Sequence, residues 1–402
     1  MSFESHVIEF PANDDGEIAT KWDCLWERSE VQMPTSRWEH LQLWFETFAP
    51  TAKRRAVIVE HAGEWVAAFP LVASRLKGIV PIWDMPYSSW TPSPELMIAR
   101  EFATEHAAYD QLFAGLAKLS RPIFRLSELS RSNGVGDQFL AAALRAGRVT
   151  DVGLRFEVGQ IAIRGRDAAS ANFKAFQAQL SGNFRRKIGK MLRRAEGLGG
   201  VELRVERPRD PQDVKHWMAI GLEIENRGWK GANGSSAIAV PGMVQYYIQQ
   251  AQLQADRNEL ILLFLQHRGE PIAFEYGWTL NRTYFSPKIG YDEAYSHLSP
   301  GHLLMHFWIE RMFASDEYDT FDFSGPVADA TLNWLTKKYS VSRVVASTGF
   351  SGDQLLRCGQ WGGALAHRVK NTVQSWRQRV SQWNSAAIQP AANDDACAVV
   401  EK

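Results

Sequence analysis

One stretch of the chain recurs, and the recurrence constrains the fold more than any other feature of the sequence. Val57–Phe69 (VIVEHAGEWVAAF) lies over Leu263–Glu275 (LFLQHRGEPIAFE) without a gap, matching His61 with His267, Gly63 with Gly269, Glu64 with Glu270 and Ala67 with Ala273. Both copies read as strand, glycine turn, strand. At the same offset Ser93-Pro94 falls on Ser299-Pro300, each ahead of a helical pattern. The expectation is two related lobes, and a length of 402 residues agrees, since a domain takes roughly 150.

Composition narrows the setting. The 45 basic and 45 acidic side chains cancel, so recognition of an anion has to come from a local cluster, and no DNA partner is expected. Cys24, Cys358 and Cys397 stand far apart and suggest neither a disulfide framework nor a zinc motif, which fits a reducing, cytoplasmic setting. Met1 to Trp22 lacks the apolar run of a signal peptide, and no stretch approaches the ~20 apolar residues of a membrane span.

The second lobe reads element by element. Val201, Leu203 and Val205 alternate with polar residues as in a half-buried strand. Asp210, Pro211 and Asp213 supply an N-cap, a first-turn proline and a first-turn acid for a helix to about Asn226. A second helix starts near Pro241. Leu260–Gln266, Ile272–Leu280 and Thr283–Lys288 then form an antiparallel meander with tight turns at His267–Glu270 and Asn281-Arg282. Ser299-Pro300-Gly301 opens a helix from His302 to about Ala314. Thr320–Ser324 is a strand, and a crossover this short makes it parallel and adjacent to the strand before the helix. A helix from Asp329 to about Lys338 and a strand over Ser342–Ser347 complete the lobe.

Between the lobes, Phe173, Phe176 and Leu180, then Phe184, Ile188, Met191 and Ala195, keep helical spacing with a break at Ser181–Asn183. Residues 1–165 are thus an N-terminal lobe, 166–200 basic connecting helices and 201–350 a C-terminal lobe. Residues 351–384 read as an amphipathic helix carrying Arg368, Lys370, Arg377 and Arg379, a surface for a peripheral membrane or protein contact, and 385–402 as a disordered tail.

This order of elements, with the wording LSGNFRRKIGKMLRRAEGLGG, NRGWKG, GEPIAFEYG, GYDEAYSHLSPGHLL and FDFSGP, resembles the GNAT acetyltransferases. It is similar in particular to the branch that contains the CelD/BcsL-type enzymes, associated with bacterial polysaccharide production and related to the FemAB aminoacyl transferases. The resemblance implies an α/β fold of tandem GNAT-like lobes, with mixed sheets flanked by helices. It implies acetyl-CoA as co-substrate, no metal, and an amine acceptor such as an amino sugar or polysaccharide precursor. Two alternatives stay open: a FemAB-like aminoacyl-tRNA-dependent transferase, and a non-catalytic component of a polysaccharide-synthesis assembly. The family's glycine-rich phosphate loop is reduced here to one glycine, and its lysine three before a tryptophan is Thr331, ahead of Trp334.

The chemistry assigns candidate residues. A helix start carries about half a positive charge and unpaired N–H groups, so Ser299, Gly301 and His302, with Lys288 on the strand before, are candidate donor contacts. Pro287 cannot donate to a ladder and marks an open edge there. In the first lobe Glu95 stands in place of Gly301, and its carboxylate would repel a phosphate. Deprotonating a lysine-like amine at pH 7 costs roughly 4.6 kcal/mol, so a base is expected. Glu275 and Asp322 are the candidates, with Tyr339 as an acid for the leaving thiolate. Arg185, Arg186 and Lys190 in the basic run, and Arg227 and Trp229 ahead of the GANGSS loop, are candidate acceptor contacts. No stacking aromatics are interleaved with the cations, which argues against single-stranded RNA. His302, His306 and Glu310 share a helix face but lack an HExxH pattern, so a metal is not expected.

Overall fold

The structure, a computed structural model, describes residues 2–11, 16–132, 134–165 and 170–358. The helix read around Leu365–Trp383, the tail and Cys397 lie outside the described residues.

Strands of the first lobe are β1 (Phe3–Glu9), β2 (Arg54–His61), β3 (Glu64–Leu76), β4 (Val80–Asp84), β5 (Met97–Ile98), β6 (Ile123–Ser130) and β7 (Thr150–Ala162). Those of the second are β8 (Glu202–Glu206), β9 (Leu260–His267), β10 (Glu270–Leu280), β11 (Thr283–Tyr291), β12 (Thr320–Pro326) and β13 (Lys337–Ser347). Each lobe runs strand, two helices, a three-strand meander, helix, strand, helix, strand. The recurring sequence is the first hairpin of each meander. His61 pairs with Glu64 and His267 with Glu270 across two-residue turns. Ala62-Gly63 and Arg268-Gly269 all have positive φ in those turns, the backbone a tight hairpin demands.

All strands join one mixed sheet in the order β1-β2-β3-β4-β6-β13-β7-β12-β11-β10-β9-β8, with β5 on β3. The order reads alike from both ends, except that the lobes trade their last strands. β13 lies against β6, and β7 against β12. The long β7–β13 pairing, from Thr150↔Ala346 to Gln160↔Lys337, is the seam.

Helices cover both faces, which is why central strands read as unbroken apolar runs; Leu260–Leu265 is buried throughout. On one face of the second lobe Phe184, Ile188, Leu304 and Trp308 pack on Leu263 and Ala273. On the other, Met218, Leu222 and Tyr247 pack on Phe264 and Phe274. Gly221 has no room for more, because a Cβ there would lie 2.3 Å from the Phe274 ring.

Most local expectations hold. Asp210 caps the helix Pro211–Asn226, accepting from the Gln212 and Asp213 N–H groups. The break in the connecting helices is a new N-cap, with Ser181 accepting from Phe184 N–H. β11 and β12 are parallel. Two expectations are corrected. The helix after Asp329 ends at Leu332, and the chain is already strand at Lys337, because β7 offers a free edge from Gln160 onward. Ser93-Pro94 precedes extended chain and not a helix, because Ser93 Oγ is tied to Glu128 and Ser36 Oγ holds the Glu95 N–H. Glu95 therefore does not stand at a helix start.

Candidate functional site

The site begins where two parallel strands part. β11 and β12 are in register only over Thr283↔Thr320, Tyr284↔Phe321 and Phe285↔Asp322. Beyond Phe285 the rest of β11, from Ser286 to Tyr291, has β10 on one side and no partner from β12 on the other. Pro287 lies in this stretch. On β12 the register breaks between Asp322 and Pro326, and Asp322 Oδ1 accepts from Ser324 N–H at 2.7 Å to hold the kink.

One side of the opening is a cavity of about 520 Å³, lined by Ile289, Gly290 and Tyr291 of the open strand and by Ser299, Gly301 and His302. The helix Pro300–Ala314 starts there. Ser299 sits at φ 57° and supplies no side-chain cap; Pro300 carries no N–H, and the His302 and Leu303 N–H groups donate to the Ser299 carbonyl at 3.1 and 3.3 Å, so the N–H at this helix start that faces the cavity without a backbone acceptor is that of Gly301. A Cβ on Gly301 would meet only Tyr291 and Ile289, at 3.9 and 4.0 Å. Lys187 lines the same wall, and burial followed by the Lys187 charge lowers the pKa of His302. Thr331 completes the rim. From here a groove lined by Lys187, Lys190, Arg194 and His297 runs outward.

The other side is a cavity of about 770 Å³ between the lobes. The second lobe contributes Lys288, Tyr247, Ser235 and Ser324; the first contributes Tyr87–Pro92, Glu128, Arg155 and Phe156. Glu225, Trp229 and Lys230 line both cavities. Glu225 ends its helix 1 % exposed, with Lys288 Nζ 2.7 Å and Lys230 Nζ 3.0 Å from Oε1, and Oε2 accepting from Ala237 N–H at 3.2 Å. Burial pushes the Glu225 carboxyl up, but the two ammonium groups outweigh it and hold the group below its ordinary range. Burial lowers Lys288 to about 8, with Glu225 pulling it up and Lys230 pushing it further down. The Lys288 ammonium also faces the Tyr247 and Trp90 rings, at 4.4 and 5.5 Å.

The sequence-derived residues are distributed unevenly over this site. Ser299, Gly301 and His302 gather on the smaller cavity, and Trp229, more than half exposed, stands at the mouth of both cavities. Lys288, expected beside them, lines the larger cavity between the lobes instead. Lys190 lines the outer groove, whereas Arg185 and Arg186 are exposed on the helix and line none of these cavities. Arg227 turns to another hollow, against Glu223 and Asp292. Glu275 is in the core. It is 1 % exposed, accepts from Tyr284 Oη at 2.8 Å, and is raised to about 7 by burial. Asp322 is also buried, bound by Gln160 Nε2 at 2.7 Å and by Tyr339, and burial raises both partners of that Asp322–Tyr339 bond. Tyr339 lines a small hollow with Glu95 and Glu128, and Glu128 also lines the cavity between the lobes. His306 is buried against Phe173 and lowered to about 4.

Residues of the first lobe were not found by sequence reasoning: Tyr87, Trp90, Glu128 and Arg155. The only local signal is the aromatic, proline-bounded stretch YSSWTP at 87–92. Their meeting with Lys288 depends on the strand exchange, which has no local signature.

Residues 182–330, which hold most of the lining of the smaller cavity, match the family model described as the Acetyltransferase (GNAT) domain. No curated protein matches. Among solved structures, FemX is similar over 87% of this chain and 98% of its own at 10% identity and a TM-score of 0.54. A conserved protein of unknown function from Bacteroides thetaiotaomicron covers 82% and 97% at 12% identity and a TM-score of 0.50. A tandem GNAT protein from the clavulanic acid biosynthesis pathway covers 86% and 99% at 12% identity and a TM-score of 0.44. The fold is a mixed α/β, GNAT-like acyltransferase fold. Among the described residues no helix is long and apolar enough to cross a membrane.

Proposed function

We propose that the chain is an acyl-CoA-dependent N-acyltransferase of the CelD/BcsL type. Acetyl-CoA occupies the cavity at Gly301, and the acyl group passes to an amine, such as an amino sugar or polysaccharide precursor, in the cavity between the lobes. One observation carries the reading: donor-type and acceptor-type cavities meet at a buried ion-paired centre where β11 and β12 part. The residues suit this donor. The helix start offers a pyrophosphate its positive dipole end, the Gly301 N–H and the close approach that a missing side chain allows, with Lys187 and His302 beside it. The unpaired edge of β11 offers backbone groups to an extended pantetheine arm, in the manner of an added strand.

The amine lone pair attacks the thioester carbonyl, and negative charge develops on the acyl oxygen. A buried ammonium is worth far more to that charge than an exposed one, and Lys288 is the buried ammonium at this junction. Glu225 keeps Lys288 protonated near neutrality, and Lys230 keeps its affinity for the proton modest. Trp229 and the aromatic wall of Tyr87 and Trp90 give an acceptor ring flat surfaces to lie on.

The groove of Lys187, Lys190 and Arg194 running out from the donor cavity favours a second reading, an aminoacyl-tRNA donor whose phosphates follow it. Calorimetric titration with acetyl-CoA, CoA and aminoacyl-tRNA, followed by an amine screen for thiol release, separates the two. Micromolar acetyl-CoA binding lost in Gly301→Glu supports the first reading; binding of aminoacyl-tRNA alone overturns it in favour of the second.

A further inference from the structure

Acyl transfer to an amine needs a base, and two carboxylates line the acceptor cavity, Glu225 and Glu128. Glu225 is committed. Both ammonium groups sit on one of its oxygens, a backbone N–H binds the other, and its proton affinity is depressed. Glu128 is held quite differently. It comes from β6 of the first lobe, with a side chain 15 % exposed. Its Oε2 accepts from Ser93 Oγ at 2.9 Å, and its Oε1 lies 3.2 Å from Arg155 Nε. Arg155 is in turn tied to Tyr87 Oη and to the Ser127 carbonyl, and its guanidinium lies 4.3 Å from the Tyr87 ring. The carboxylate is oriented at the cavity wall without being neutralised by a buried lysine.

Resting on the acyl-transfer reading above, we propose that Glu128 takes the proton from the acceptor ammonium, so that the first lobe supplies the base for a donor held by the second. The step balances. The ammonium gives one proton to the Glu128 carboxylate, and the freed lone pair forms the C–N bond to the acyl carbon while the carbonyl π pair moves to oxygen. Collapse restores the carbonyl and breaks the bond to the leaving sulfur, which departs as thiol with a second proton from the attacking nitrogen. Glu128 then passes its proton to solvent. The sum is ammonium plus thioester to amide, thiol and one proton.

The surroundings set the proton affinity. Glu128 faces Ser93 and Arg155, and behind it Glu95, Asp322 of β12 and Tyr339 of β13. Burial raises Glu128 above its ordinary value, against the hydrogen bond from Ser93 and the charge of Arg155. Glu95, raised to about 8 by burial and by the charges of Glu128 and Asp322, adds no neutralising charge.

The test uses the full chain, acetyl-CoA and a panel of amines that includes glucosamine and lysine, with thiol release and donor binding both measured. Glu128→Gln should leave acetyl-CoA affinity within about twofold and lower kcat/KM at pH 7 by roughly 10²–10³, the usual worth of a general base. The loss should be larger for the more basic amines and shrink at alkaline pH, where the amine arrives deprotonated. Ser93→Ala keeps the carboxylate but removes a hydrogen bond that lowers its pKa, so the acid limb of the pH profile should move up. A loss under about fivefold, or one independent of pH and of amine basicity, overturns the proposal. So does an unmoved acid limb in Ser93→Ala, which decides the matter if Glu128→Gln does not fold. A wild type that binds no acetyl-CoA and releases no thiol overturns the acyl-transfer reading itself, and the role of Glu128 with it.

Discussion

Lys288 Nζ lies 2.7 Å from Glu225 Oε1, and that pair stands where the donor and acceptor cavities share their wall. One end of the pair belongs to the open strand β11, the other to the last turn of the helix Pro211–Asn226. Gly290 of the strand packs so tightly on this helix that a Cβ would lie 2.7 Å from the Glu225 backbone. The junction is closely packed, and the charge of Lys288, lowered to about 8 first by burial, changes with pH near that value.

Lys288→Met should leave acetyl-CoA binding nearly intact while lowering kcat by about 10², the scale for loss of one preorganised group facing developing charge. The pH dependence has a definite sign. Lys288 is lowered to about 8, so the ammonium is present below that pH and lost above it. Wild-type kcat should therefore fall as pH rises through about 8. Lys288→Arg, if it retains activity, should lose that alkaline limb because arginine does not titrate there. A kcat profile with the same alkaline limb in Lys288→Arg would remove the assignment.

Gly301 separates electrostatics from space. Its Cβ position is open to 3.9 Å, so Gly301→Ala should bind acetyl-CoA within a fewfold of wild type. Gly301→Glu places a carboxylate at the helix start where a pyrophosphate would sit, and calorimetry should show a loss of roughly tenfold or more with an unchanged Tm. Equal losses in both variants would mean that the helix start is not the phosphate site.

Much of the second lobe was legible because its signals are local. The Asp210-Pro211 start and the Arg268-Gly269 turn each depend on a few adjacent residues, as does the break at Ser181–Asn183 in the connecting helices. Lys337–Ser340 illustrates the opposite case. The sequence predicts helix to about Lys338, but β7 supplies partners from Gln160 for Lys337 to Glu157 for Ser340, and tertiary pairing overrides local preference. That Ser299, Gly301 and His302 would share one cavity was legible for the same reason as the turns, since Ser299–His302 is one continuous segment. The acceptor side was not, because Trp90, Arg155 and Lys288 meet only after the lobes exchange strands.

Glu275 shows how a plausible base on a strand can be a core residue. Burial raises it to about 7 from the ordinary 4.5, so the folded state holds its proton more tightly than the unfolded chain does. That difference favours folding most below pH 4.5 and is lost as pH rises toward and through 7, by about 3 kcal/mol in all. Glu275→Gln removes the titration and can still accept from Tyr284 Oη. Its Tm should exceed that of wild type at pH 8 and match it near pH 4.5, with activity retained. Equal stability at both pH values would show that Glu275 does not titrate in this range, and a large loss of activity would return it to the list of bases.

Arg37 and Glu259 bind the lobes together through a bidentate pair, with N···O distances of 2.6 and 2.5 Å, and both residues are buried. Arg37 also covers the Trp26 ring at 4.0 Å. Removing one partner leaves a buried charge uncompensated, so Arg37→Ala and Glu259→Ala should each cost about 3–5 kcal/mol. Arg37→Met with Glu259→Leu removes both charges and should recover most of that loss, giving a large coupling in a double-mutant cycle. Because the acceptor cavity is built from both lobes, the single variants should raise KM for the amine more than for the acyl donor, whose cavity is lined by the second lobe and its connecting helix. Additive single losses would show that the pair does not join the lobes energetically, and equal changes in the two KM values would show that acceptor binding does not depend on how they are held.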